Sequence, residues 1–235
     1  MRTEALAVVR GWDETRRTLA CWRRRPRAVL VPWALVAVAV SALLLAAVWA
    51  VAVRSTPDPF DAGFPGVTAP ATGADYAFVL YRNGLVLALH ALACVAGFLA
   101  GSSLPTVAEG YSGRWRTLHE KAGPVAIAFV LAATAFSLAT QAYALGRGAA
   151  DLAAALGVPP AVLLLALLPH ALPELTALFL PLAAWTLAAR RGAWHELLAA
   201  TVLTVTVAAP VLVAAAAVET WLTPAILRGI GRYTF

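Results

Sequence analysis

Residues 161–189 read AVLLLALLPHALPELTALFLPLAAWTLAA, and the only ionisable groups among them are His170 and Glu174. The hydrocarbon core of a bilayer takes about 20 apolar residues of helix, so this stretch is long enough to cross it. Lipid offers no partner to backbone N–H and C=O groups, which limits spanning structures to helices and closed barrels. A charge near the bilayer centre costs on the order of 3 kcal/mol, so His170 and Glu174 are expected to face protein rather than lipid. Pro169 and Pro173 flank them. Each proline lacks an N–H and disfavours helix at the residue before it. The pattern therefore predicts a break around 168–172, with 161–168 re-entrant or part of a kinked helix. A second helix is expected to run to about Ala189 with Glu174 in its first turn, where a helix dipole favours a carboxylate. The segment serves either as a kink whose His and Glu bond nearby backbone, or as a binding or conformational site.

The rest of the chain fits the same solvent. It is 61% hydrophobic and only 13% charged, with a mean hydropathy of +0.78. Soluble domains carry roughly 25% charged residues, so the reading is an integral membrane protein. The net charge of +6 does not imply nucleic acid, because the basic residues cluster beside a span. The two cysteines, Cys21 and Cys94, fall before the first span and inside the second, which argues against a disulfide. The first long apolar run exceeds a signal-peptide h-region and reads as a retained anchor. Abundant Ala, Val, Leu, Arg and Pro beside a single lysine, Lys121, suggest a GC-rich bacterial genome.

Residues 1–27 carry Arg2, Arg10, Arg16, Arg17, Arg23, Arg24, Arg25 and Arg27. Ala5, Val8, Val9, Trp12, Leu19 and Trp22 form one helical stripe. This predicts a cytoplasmic, basic, amphipathic helix on the membrane surface, or a plain topogenic tail. Either places the N-terminus inside. Residues 28–235 read as a single transmembrane helical domain of about five spans: 28–53, 78–100, 124–145, the proline-rich stretch, and 196–218 with a kink at Pro210. Residues 149–156 are expected to form a short helix outside or at the interface. The external loop 54–76 either packs over the bundle, meets a partner or runs as a solvated connector. Gly84, Gly97 and Gly101 permit close helix approach, and Thr134, Ser137 and Gln141 share a face able to bond across helices. The fold class is all-α: a polytopic transmembrane helix bundle.

The polar residues inside these spans are the candidate site. Asn83, His90, His170, Glu174 and Glu219 are expected to meet in one buried polar cluster, since a charge at that depth needs a partner or a hydrogen bond. Pro169 and Pro173 mark the helix break. No catalytic residue and no cofactor are predicted. If a metal binds, His90, His170, Glu174 and Glu219 supply acceptable ligands, but there is no HExxH pair and no separate general base.

Three pieces together resemble the stage II sporulation protein M family of bacterial membrane proteins. Asn83-Gly84 opens a small-residue-rich run to Gly101; Pro169, His170 and Glu174 form a Pro-His-x-x-x-Glu segment; and Glu219 is followed by Thr223-Pro224. The likeness covers about residues 78–224. The chain departs from the family at Ala171, where Gly is usual, and at Arg82, where the family commonly pairs two Asn. The sporulation member is the membrane partner of peptidoglycan-remodelling enzymes, and members occur in bacteria that never sporulate. The resemblance implies a non-enzymatic scaffold in the bacterial cytoplasmic (inner) membrane. Its partners would be the lipid bilayer, envelope or peptidoglycan-remodelling proteins and a possible second copy in a homo-oligomer. The competing readings are a channel or transporter lined by the broken helix, and an intramembrane metalloenzyme.

Overall fold

The computed structural model describes residues 7–58, 66–67, 69–103 and 112–231. Arg2, Ala5 and Arg232 lie outside the described residues, as do parts of the loops after the first and second spans. Helices and their connecting turns make up the described residues, with no β-strand among them. The helices are α1 (Ala7–Trp22), α2 (Pro26–Ala52), α3 (Gly73–Phe98), α4 (Gly113–Leu156), α5 (Pro160–Arg191), α6 (Leu197–Ala217) and α7 (Thr223–Ile230). A π-helical turn, Leu99–Ser103, closes α3, and another, Val218–Leu222, joins α6 to α7. Five segments are long and apolar enough to cross a membrane: Pro26–Ala52, Gly73–Gly101, Ile127–Leu156, Pro160–Arg191 and Trp194–Ile230. The chain is a multi-pass helical membrane protein.

The side-chain arrangement is that of a protein dissolved in lipid. Large apolar residues point outward, with Leu43 71% and Phe136 73% exposed, while Ala37, Ser41 and Cys94 are fully buried. Helices in lipid gain little by hiding leucine, so they associate through small residues that allow close approach. Gly97 shows the geometry: a Cβ built there would lie 2.5 Å from Trp185 Nε1 and 2.8 Å from Leu197 Cδ1. Gly101 abuts the Trp194 ring in the same way, whereas Gly84 has open space around it. The expectation of close contact therefore holds at two of the three glycines.

Two connections are fixed by glycine caps. Gly157 at φ 66° and Gly192 at φ 66° each occupy the left-handed region. After α4, Gly157 N–H donates to Ala154 and Val158 N–H to Ala153; after α5, Gly192 and Ala193 repeat the pattern on Ala189 and Ala188. These are Schellman caps, which satisfy the last carbonyls of each helix. Pro160 then starts α5, where a missing N–H removes nothing.

The structure corrects three boundaries and one expected set of hydrogen bonds. The break expected at Pro169 and Pro173 is absent: α5 is one helix from Pro160 to Arg191, so no segment re-enters and Glu174 lies mid-helix rather than in a first turn. The two prolines are one turn apart and both exposed, so each lost donor falls on the same outer side of the helix while the inner face keeps its register. Residues 149–156 continue α4 instead of forming a separate helix, and their buried Ala149, Ala150, Ala153 and Leu156 are packed. The last span does not end at Glu219 but passes through the π turn into α7. Thr140 and Gln141 bond within α4, to Phe136, Ser137 and the Ser137 hydroxyl, not across helices.

Contacts divide the chain into two compact units. One comprises Met1–Ala37, Val86–Thr134 and Leu178–Ala208; the other comprises Val38–Leu85, Ala135–Ala177 and Ala209–Phe235. In the first, α1 is indeed helical and amphipathic, yet part of its inner face rests on protein. Gly11 approaches Leu198 and Phe98, Thr15 is buried, and Trp22 meets Trp33 edge to face at 5.3 Å. Small residues one turn apart make that approach possible, a signal that a purely hydrophobic stripe does not carry. Trp12 is 54% exposed with Arg16 over its ring at 5.4 Å, a pairing suited to a headgroup layer.

In the second unit Gly146 sits against Val51, with a Cβ position 2.8 Å from the Val48 carbonyl. The described parts of the loop between α2 and α3 fold back on helix ends in this unit. Asp58 N–H donates to Asp151 Oδ1 at 2.8 Å, Arg228 donates to the Gly66 carbonyl, and Gly66 packs on Pro224. The loop is thus a packed cover rather than a solvated connector along these residues.

Candidate functional site

The candidate residues separate into three groups. His90 on α3 lies in the first unit. Its Nδ1 is 2.8 Å from the Leu178 carbonyl of α5, and its ring centroid is 5.7 Å from that of Phe179. A carbonyl only accepts, so Nδ1 carries the hydrogen. One turn further along α3, buried Cys94 donates to the Pro181 carbonyl at 3.2 Å. Two consecutive turns of α3 are therefore tied to α5 backbone. His90 is not part of the predicted cluster.

His170, on α5 in the second unit, is buried and places Nδ1 2.8 Å from the hydroxyl of Thr223. Thr223 opens α7 and is itself fully buried. A hydroxyl can donate or accept, so either tautomer of the imidazole is satisfied. His170 and Glu174 share a helix face at i, i+4, but His170 turns to Thr223 and neither glutamate is its partner. Sequence reasoning missed this contact. The signal was the Thr-Pro pair itself, because a proline in the first turn marks a helix start and brings its flanking threonine to the α6–α7 junction.

The third group does meet. Glu174 of α5 has Glu219, Asn83 and Arg82 as its polar neighbours, and Glu219 has Glu174 and Arg82. Asn83 and Arg82 come from α3, and Glu219 from the π turn. Glu219 reaches this position because the π turn adds a residue to the helical repeat and rotates the following face. The Arg82 guanidinium lies 5.8 Å from the Phe78 ring centroid and offsets part of the acidic charge. The group is incompletely satisfied. Within the group, Glu174 engages the side chains of Asn83 and Glu219 by hydrogen bonding, in loose geometry that leaves Glu174 Oε2 and Asn83 Nδ2 without an ideally placed partner among the described residues; Thr220 Oγ1 is likewise buried without one.

The set His90, His170, Glu174 and Glu219 is thus not one metal centre. The two histidines bond elsewhere, and among the described residues no group of three or more His, Cys, Asp or Glu is arranged to hold a metal ion. Around Tyr76 the second unit has a further tie: the phenol donates to the Val213 carbonyl at 3.4 Å and the ring lies 5.1 Å from Trp221.

Fold and site together define a class: a polytopic helical membrane protein whose intramembrane polar residues join one helix to another. Comparison with known proteins finds no matching family model, no similar curated protein and no similar solved structure.

Proposed function

We propose that this chain is a non-enzymatic scaffold of the bacterial cytoplasmic membrane that binds and positions envelope or peptidoglycan-remodelling partners. One observation carries the reading: the polar residues inside the spans are used as ties between helices. His170 meets Thr223, His90 meets Leu178, Cys94 meets Pro181 and Tyr76 meets Val213. Such ties fix a bundle and leave its ends to act as platforms. The resemblance of Asn83-Gly84, Pro169-His170-x-x-x-Glu174 and Glu219-x-x-x-Thr223-Pro224 to the stage II sporulation protein M family supports the same role.

In this reading the N-terminus is cytoplasmic, because the arginines of residues 1–27, together with Arg190 and Arg191 after α5, obey the positive-inside rule. The groove of about 460 Å³ lined by Ala69, Pro70, Thr220, Trp221, Pro224 and Arg228 then faces the outside, where a partner domain would dock. The unbroken α5 gives a channel or transporter no half-helix ends to line a path. A photo-crosslinker placed at Trp221 in living cells tests the proposal. Trapping of a peptidoglycan-remodelling enzyme, with no solute or ion flux in proteoliposomes, is expected. Substrate-specific flux without any envelope partner would overturn it.

A further inference from the structure

We propose that the cavity walled by Trp22, Trp33, Arg191 and Glu196 binds one zwitterionic phospholipid with a primary-ammonium headgroup, of the phosphatidylethanolamine type. This goes beyond the scaffold reading and does not rest on it.

The cavity lies where three spans have their ends. Ala28 follows the start of Pro26–Ala52, Arg191 closes Pro160–Arg191, and Glu196 follows the start of Trp194–Ile230. That is the headgroup layer of a bilayer rather than its hydrocarbon core. All the lining residues belong to the first compact unit. The volume of about 220 Å³ holds about seven waters at about 30 Å³ each, which suits a small polar headgroup and not a protein segment.

One side of the cavity opens toward lipid. Ala28 and Pro32 line it from α2, and Leu35, on the same helical face one turn further along, is 66% exposed. An acyl chain leaving the cavity would run along that face. The occupant therefore has an apolar tail as well as a polar head.

The charged lining specifies the head. Arg191 and Glu196 contribute one charge of each sign, and no ion pair joins them among the described residues. Arg191 Nε donates instead to the Leu187 carbonyl of its own helix at 3.1 Å, which holds the side chain along the last turn and leaves both terminal nitrogens to a ligand. A guanidinium takes a phosphate through two parallel N–H bonds. A carboxylate in the same small cavity repels a headgroup of net negative charge and calls for a cation a few atoms from the phosphate. That cation also has walls suited to it: Trp22 and Trp33 meet edge to face at 5.3 Å and 82°, and indole is the strongest aromatic partner of an ammonium. A carboxylate accepts hydrogen bonds, so Glu196 favours an ammonium that carries N–H groups over the quaternary nitrogen of choline.

The test uses the full chain in a nonionic detergent. Dioleoyl phosphatidylethanolamine, phosphatidylcholine or phosphatidylglycerol is added at increasing mole fraction while thermal unfolding is followed. Phosphatidylethanolamine is expected to raise the midpoint saturably, as a ligand of the native state must. Its half-saturation should lie about tenfold or more below that of the other two lipids, and Glu196→Gln and Arg191→Gln should each raise it about tenfold, the equivalent of one lost charge-assisted bond. Arg190→Gln removes the same charge one residue away, outside the cavity, and should leave it unchanged. Equal responses to the three lipids would overturn the proposal, naming a nonselective lipid shell. A strongest response to phosphatidylglycerol would overturn it as well, naming a basic surface. So would an undiminished response in both cavity variants, or a loss in Arg190→Gln equal to that in Arg191→Gln. Should either cavity variant fail to fold, a photoactivatable phosphatidylethanolamine on the wild type decides. Adducts concentrated on residues 22–33 and 187–196, displaced by unlabelled phosphatidylethanolamine but not by phosphatidylcholine, support the site. Adducts spread over all spans, or displaced equally by both lipids, overturn it.

Discussion

Gly97→Ala and Gly84→Ala place the same methyl group on the same helix, α3, in opposite surroundings. Glycine costs about 0.8–1.0 kcal/mol relative to alanine in a helix interior, so both changes gain that amount from the backbone. At Gly84 nothing lies within 4 Å, and the gain stands alone. At Gly97 the new Cβ falls 2.5 Å from Trp185 Nε1, 2.8 Å from Leu197 Cδ1 and 2.9 Å from Trp185 Cδ1. Trp185 and Leu197 are both buried and cannot simply swing away. Overpacking of this kind costs roughly 1–3 kcal/mol. Gly84→Ala should therefore be neutral or stabilising, and Gly97→Ala neutral to destabilising. The difference between them, in which the propensity term cancels, should be about 1–3 kcal/mol. Unfolding in mixed micelles against increasing dodecyl sulfate measures it. Equal stability of the two variants would refute the close approach of α3 to Trp185 and Leu197.

The topology gives a second expectation. In a chain with Cys21→Ser and Cys94→Ala, a cysteine at Thr72 should react with an impermeant reagent in intact cells, whereas one at Ser112 should not; both positions are exposed. For the contact between α5 and α7, His170→Leu and Thr223→Val should each cost about 0.6 kcal/mol and at most about 1.7, the average and the maximum for hydrogen bonds between helices in membranes. The double variant should cost little more than either alone, and full additivity in unfolding assays would show that the two side chains do not share a bond.

Much of the fold could be read from the sequence because a bilayer imposes its length scale. The apolar runs gave five spans, and Ala, Gly and Ser within them gave the packing faces. Pro169 and Pro173 misled because a proline deletes one N–H but does not by itself end a helix. With both on the outer side of α5, the inner face of the helix stays continuous. The end of the last span was misplaced for a similar reason. Glu219 looks like a terminus by polarity, yet its carboxylate is turned toward Glu174 and Arg82 by a π turn that no composition signal marks. The expected cluster held Asn83, His90, His170, Glu174 and Glu219 together; Glu174 neighbours Asn83 and Glu219. It was not foreseen that His90 and His170 would leave it, because a histidine can satisfy itself on a backbone carbonyl or a hydroxyl from another element. Which of these partners lies nearby depends on helix rotation, and hydrophobic periodicity fixes rotation only within about a residue.

The claim on which the account turns is that Glu174 and Glu219 act as one unit. A double-mutant cycle on Glu174→Gln and Glu219→Gln, read as unfolding free energy of the full chain in one bilayer mimic, tests it most directly. The account predicts a coupling of about 0.5–3 kcal/mol for that pair, as for residues in contact. Additivity between the glutamates would contradict it.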